Sequence, residues 1–180
     1  TGPFSEPETQ ALKYFCESHE FEFASNAHAY GNLLLFPFGY ASNAVANDHT
    51  YFQAYSDFQV IFNNYNAIKS SGLYAAAGDS DDWMYDGDLE SKPKIYAQTP
   101  EIGNDNDGFW PNQNRILPLC KENIWNFKTL AHLPHIYGST TENDPSKIDL
   151  TTGYFHYSYQ RLGLSNGPVT ISMTPIQNII

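Results

Sequence analysis

Cationic side chains, cysteines and long apolar runs are all scarce in this chain, and each shortage closes off a class of function. Nine Lys and Arg stand against 20 Asp and Glu, a formal net charge of −11 over 180 residues. A nucleic-acid partner is not expected, because the surface that would neutralise phosphates is missing. Cys16 and Cys120 are the two cysteines. They are too few for a disulfide framework, and each sits in an apolar helical register where a buried free thiol is the expectation. The longest apolar stretch, Leu33 to Phe38, falls far short of the ~20 residues of a membrane span. Thr1-Gly2-Pro3 does not open a signal peptide, so the chain is expected to begin inside a longer protein or to have been processed. Acidity with few lysines suits an exported protein, and a secreted or periplasmic location is expected on that ground.

Aromatic residues are plentiful instead, making up 16 % of the chain and matching the charged share. That composition suits a packed core rather than disorder, and the length suffices for one ordinary domain. Ser5-Glu-Pro-Glu8 predicts a helix start, with Ser5 as N-cap and Glu8 completing a capping box, and the helix runs to about His19. Phe21 to Ala27 and Leu33 to Phe38 read as two neighbouring strands, the second buried on both faces. Tyr51, Phe52, Tyr55, Phe58, Phe62 and Tyr65 fall at helical spacing, which predicts one long helix from Ala46 to Asn66. Leu73 to Asp88 is Gly-, Asp- and Ala-rich and reads as a loop, Lys94 to Glu101 as a strand, and Ile116 to Leu130 as a closing helix.

Helices alternate with strands up to about residue 133, the pattern of an α/β layer fold. The expected division is a unit over residues 1–135 and a linker with a β-rich tail, or the start of an accessory domain, over 136–180. Within the tail, Gly153 to Gln160 and Val169 to Thr174 flank Ser165-Asn166-Gly167, a hairpin signal.

Two side chains stand out as chemistry-bearing. His28 ends an apolar strand, where a ligand, a base and a hydrogen-bonded core histidine are all open. Glu101 puts a carboxylate at the C-terminal end of the uncharged segment Ile95 to Pro100, where α/β sheets place their ligands. Buried there, it must be paired or functional. Asp79-Ser-Asp-Asp-Trp83 lacks the register of a calcium loop and reads as a solvated loop. His19-x-x-Glu22 spans a helix end and a strand start, so nothing fixes both side chains on one face. His132 lies in a helix-terminating segment with His135, where capping of the last carbonyls accounts for it.

Phe4-Ser-Glu-Pro-Glu-Thr9, Ala27-His-Ala-Tyr-Gly-Asn-Leu-Leu-Leu-Phe-Pro-Phe-Gly-Tyr40, Ser71-Gly-Leu-Tyr74, Ala77-Gly-Asp-Ser-Asp-Asp-Trp-Met-Tyr85 and Thr99-Pro-Glu-Ile-Gly103 follow one another in a familiar order. With Gly108-Phe-Trp-Pro111 they resemble the carboxypeptidase A/B family of zinc metallopeptidases, bacterial-type, over roughly residues 4 to 131. The resemblance implies the C-terminal part of that family's mixed β-sheet flanked by helices. It implies His28 as the last of three zinc ligands, after a His and a Glu from an upstream His-x-x-Glu motif, and Glu101 as general base and proton shuttle. It implies Tyr74 as a mobile tyrosine closing over the C-terminal carboxylate of a peptide substrate. It further implies Asp81 at the pocket position where an acidic residue favours a C-terminal Lys or Arg, with Thr99 and Phe109 on the neighbouring wall.

The first two ligands and the carboxylate-binding arginines of the pattern are not matched, and Arg115 and Arg161 lie elsewhere in it. With His28 alone the chain is not expected to retain zinc, so it reads as an inactive fragment whose partner is the missing upstream half of its own domain. Lys94 to Glu101 would then be an exposed edge strand, open to pairing with a second copy. Two other functions are open. One is a non-catalytic module binding a glycan or peptide through Trp83, Trp110 and Tyr85; the other, within the family, is amidase or deglutamylase action.

Overall fold

The structure is a computed structural model and describes residues 2–136, 148–149, 154–158 and 168–172. Helix α1 (Pro7–Glu17) leads to β1 (Phe23–Ser25), β2 (Leu33–Phe36), α2 (His49–Gln59) and β3 (Asn66–Lys69). A 3₁₀ turn at Ser70–Gly72 precedes α3 (Ser80–Asp86), β4 (Tyr96–Glu101), α4 (Gln113–Glu122) and α5 (Ile124–Ile136). Later strands β5 (Ile148–Asp149), β6 (Tyr154–Ser158) and β7 (Pro168–Ser172) form a separate antiparallel sheet in the order β5-β6-β7. The expected hairpin pairing is present in β6 and β7, while its turn, Ser165 to Gly167, and the linker after Ile136 lie outside the described residues.

The main sheet has the order β1-β4-β2-β3, with β4 parallel to β1 and antiparallel to β2, and β2 parallel to β3. Two expectations are corrected here. The segments around β1 and β2 are not neighbours, because β4 lies between them. For the same reason β4 is no exposed edge: both its flanks are hydrogen-bonded and five of its six residues are buried. The edges of this sheet are β1 and β3, so association of two copies through the expected edge in Lys94 to Glu101 finds β4 (Tyr96–Glu101) already paired on both sides.

The aromatic stripe on α2 forms the core as its spacing requires. Tyr51, Phe52, Tyr55 and Phe58 pack with Phe36, Phe38 and Tyr85, and each such buried ring contributes roughly 2 kcal/mol of apolar transfer. The helix is shorter than its periodicity suggests. Asn63 and Asn64 donate their amides to the Val60 carbonyl, Asn64 takes a left-handed φ of 57°, and the Asn63 side chain accepts from the Tyr65 amide. Local Asn side-chain bonds thus turn the chain into β3. Phe62 is left 47 % exposed while Tyr65 is buried.

Similar local chemistry explains the other departures. The α1 N-cap is Glu6 with no side-chain cap bond, and Ser5 donates to the Glu6 carboxylate instead of closing a capping box. The segment read as a loop carries α3, because the Asp79 side chain accepts from the Asp81 amide and acidic residues fill the first turn. The single closing helix is two: the Asn123 side-chain amide takes the Leu119 carbonyl at 3.0 Å, the acceptor that continuing backbone would have used. Cys16 is buried as expected, but Cys120 is exposed.

Candidate active site

Glu101 ends β4, and His28 lies beside it on the segment leaving β1. Their backbones interlock: the His28 amide donates to the Pro100 carbonyl at 2.9 Å, and the Ile102 amide donates to the His28 carbonyl at 3.0 Å. This isolated parallel bridge fixes the relative register of the two residues. His28 Nδ1 stands 3.9 Å from Glu101 Oε1, within ion-pair range and beyond a hydrogen bond. Their environments differ, since the His28 side chain is 61 % exposed and that of Glu101 only 9 %. Burial pushes the Glu101 carboxyl above the ordinary glutamate value, and the nearby imidazole offsets part of that rise.

The pair opens onto a cleft of about 390 Å3. One wall is made of strand ends, with His28, Leu35, Thr99 and Glu101. The other is made of connecting segments, with Gly39, Ser70, Tyr74 and Asp79 among its residues. Tyr74 is 67 % exposed at this second wall. Of the residues singled out by sequence, the cleft thus brings together His28, Glu101, Thr99 and Tyr74. It does not bring Asp81 or Phe109 to its surface. Phe109 is 70 % exposed and meets Tyr30 edge-on at 5.0 Å.

Asp81 is wholly buried behind Thr99, whose hydroxyl donates to Oδ2 at 2.8 Å while the Asn26 amide donates to Oδ1 at 2.5 Å. Burial dominates these two bonds and pushes the Asp81 carboxyl up to about 7. Asp79, on the cleft wall itself, was overlooked from sequence because the whole acidic run read as solvated loop. A Cβ on Gly39 would stand 2.8 Å from Asp79 Oδ2, so the bare glycine is what lets the carboxylate lie there. Asp82 accepts from the Gly39 amide at 2.9 Å and the Tyr40 amide at 3.0 Å, which fixes the backbone of the same corner.

No Lys or Arg lines the cleft among the described residues, and Arg115 is engaged by Asp107 through two bonds of 2.7 and 3.0 Å. Nor does any group of three or more His, Cys, Asp and Glu side chains converge among the described residues. The alternative aromatic platform is not formed. Tyr85 is 1 % exposed in the core and Trp83 packs against Phe4 and Lys92, which leaves Trp110 projecting by itself at 94 % exposure. Three rings needed on one surface for stacking on a sugar therefore point into three environments. No helix among the described residues is long and apolar enough to cross a membrane.

An α/β frame with a buried carboxylate and an imidazole at adjoining strand ends agrees with the similarity found in sequence. Residues 1–126 match the zinc carboxypeptidase family, and the chain belongs to it. Carboxypeptidase O of Homo sapiens is 32 % identical over 153 residues, covering 80 % of this chain and 39 % of that protein. Mast cell carboxypeptidase A of Homo sapiens is 30 % identical over 140 residues, covering 73 % and 32 %. Bovine thrombin-activatable fibrinolysis inhibitor, solved in complex with tick carboxypeptidase inhibitor, superposes with a TM-score of 0.63 at 27 % identity, over 74 % of this chain and 47 % of that one. Carboxypeptidase A from Helicoverpa armigera shares the fold, with a TM-score of 0.59 at 18 % identity, over 72 % of this chain and 34 % of that one. The chain spans less than half the length of each of these relatives.

Proposed function

We propose that these residues form part of the active site of a zinc-dependent carboxypeptidase that removes C-terminal residues from peptides, with Glu101 as its general base. The observation that carries this is the buried Glu101 carboxylate, shifted upward, held in register with exposed His28 at the head of an open cleft. A carboxylate raised toward the working pH both accepts and returns a proton efficiently. Glu101 takes a proton from the water that attacks the scissile carbonyl and delivers it to the departing amine. Zinc, when bound, supplies the acidity of that water and polarises the carbonyl.

His28 fits as one ligand to such an ion, since its ring is exposed on the cleft and stands beside a carboxylate. Catalytic zinc takes about three protein ligands, and the described residues offer no such group. The remaining ligands, like the cation that would anchor the substrate carboxylate, belong to a larger assembly of the site, and this chain by itself is inactive. Tyr74 covers the substrate's C-terminus from the second wall. The Asp79 carboxylate at the cleft surface favours a basic C-terminal side chain, with Asp81 set back behind Thr99 and out of direct reach of the substrate, while Phe109 stands against Tyr30 outside the cleft lining.

The test is made in a polypeptide that supplies the remaining ligands. Chelator-sensitive release of C-terminal residues is expected, and Glu101→Gln should lower kcat by about 10³-fold while zinc content stays unchanged. Activity that survives Glu101→Gln would sink this reading. Titration of zinc into the present chain should give no tight one-to-one binding; a submicromolar site would overturn the ligand count.

A further inference from the structure

We propose that Tyr65 is a positioning residue for the cleft: its hydroxyl, acting through the Gly103 peptide, steadies the register that the backbone bridge sets between Glu101 and His28. This inference rests on the assignment of Glu101 and His28 as the working pair, and Tyr65 itself touches neither.

Tyr65 is buried, 4 % exposed, just before β3. Its hydroxyl uses its full hydrogen-bonding capacity. It donates to Glu122 Oε1 at 2.9 Å and accepts from the Asn123 side-chain amide at 3.1 Å and the Gly103 backbone amide at 3.0 Å. Glu122 and Asn123 sit at the junction of α4 and α5, so the hydroxyl joins that junction to the residue two positions beyond Glu101. The other side of the same residue faces the histidine segment. The Gly103 carbonyl accepts from both the Gly31 and Asn32 amides at 2.8 Å.

One residue therefore carries both tethers. Gly103 NH is held by Tyr65, and Gly103 C=O holds the chain three and four residues after His28. Its φ of +90° turns the two groups to these partners, and a Cβ there would meet the Asp107 Cβ at 3.1 Å, so a side chain would disturb the node. A buried amide that loses its acceptor incurs a desolvation penalty. Without the hydroxyl, Gly103 would rotate toward another partner and loosen its grip on Gly31 and Asn32. Gly31 lies against the glutamate, where a Cβ on it would stand 3.6 Å from the Glu101 Cβ, so slack there is felt directly at the carboxylate.

Tyr65→Phe keeps the ring and deletes the hydroxyl. Amide hydrogen exchange in this chain should rise by about 10-fold at Gly103, Gly31 and Asn32, with the β2 and β4 ladder amides changing less than about 3-fold. A uniform rise across the sheet, the signature of general destabilisation, would overturn the proposal, as would unchanged exchange at Gly31 and Asn32. Should Tyr65→Phe fail to fold, Glu122→Ala removes the acceptor of the hydroxyl from a partly exposed position, and a rise of about 3-fold at the same three amides decides the matter. In the zinc-loaded, active polypeptide, Tyr65→Phe should lower kcat about 10-fold with KM within about 2-fold. Full activity in Glu101→Gln would refute the catalytic assignment alone, because the exchange measurement does not depend on it.

Discussion

The two walls of the cleft are built on different principles. The strand-end wall is held by ladder and bridge hydrogen bonds, with Glu101 and His28 in adjoining backbone registers. The opposite wall is a run of connections held at points by side chains: Ser70 donates to the Phe36 carbonyl at 2.9 Å, Asp79 caps α3, and Asp82 grips the Gly39 corner. Between these points the wall is open, with Tyr74 67 % exposed and no neighbour within 4 Å of a Cβ placed on Gly78. Chemistry that needs fixed distances suits the first wall, and contact with varied substrates suits the second.

The largest expected effect that tests the division lies where the two walls meet, at Asp81 of α3, whose carboxylate accepts from Thr99 of the strand-end wall. Asp81 has a folded-state value of about 7 against an ordinary 3.8, so the folded protein holds a proton that the unfolded chain has released between these limits. The sign follows from linkage. The stability associated with Asp81 is fully present below about 3.8 and is lost as pH rises through about 7, a change of roughly 4 kcal/mol at its full extent. Asp81→Asn keeps the shape, and the Thr99 hydroxyl can reverse to accept from the new amide. Urea unfolding should find Asp81→Asn more stable by about 2 to 4 kcal/mol at pH 8, with the gap closing near pH 4. Equal stabilities at both pH values would mean that the buried charge costs nothing.

Asp82 tests the anchoring itself. Its carboxylate takes the Gly39 and Tyr40 amides, and charge-assisted bonds of this kind contribute about 1.5 to 3 kcal/mol where water cannot replace them. Since the Tyr40 amide is exposed, Asp82→Ala should cost about 2 kcal/mol in equilibrium unfolding, and Asp82→Asn about half of that. A negligible loss would show the corner standing without its acid and would blur the contrast between the walls.

Legibility in the sequence divides along similar lines. β2 and β4 were visible because their apolar runs are short and bounded, and Glu101 stood out as a carboxylate closing an uncharged strand. α3 and β3 were hidden: the Asp79 cap reads as loop composition, and Tyr65 keeps helical spacing after the helix has ended. Asp79 as a cleft residue and Tyr65 as a tether carry no local signal, because tertiary contact creates their roles. The Gly103–Tyr65 bond joins residues 38 apart in the chain, and the Tyr65–Glu122 bond joins residues 57 apart. The centrality of β4 was missed for a like reason, since composition cannot tell which strand takes the middle of a mixed sheet.

Tyr74 gives the smallest expected effect and the finest test of the division. If the second wall binds and the first reacts, the Tyr74 hydroxyl contributes equally to substrate and transition state, and its loss appears as uniform binding. Tyr74→Phe in the active polypeptide should then raise KM by about 3- to 10-fold and leave kcat within about 2-fold. The ring remains to cover the substrate, and the exposed hydroxyl competes with water for its partner, so a larger loss is not expected. A fall in kcat with KM unchanged would place Tyr74 with Glu101 on the reacting side, and the cleft would then have two chemical walls.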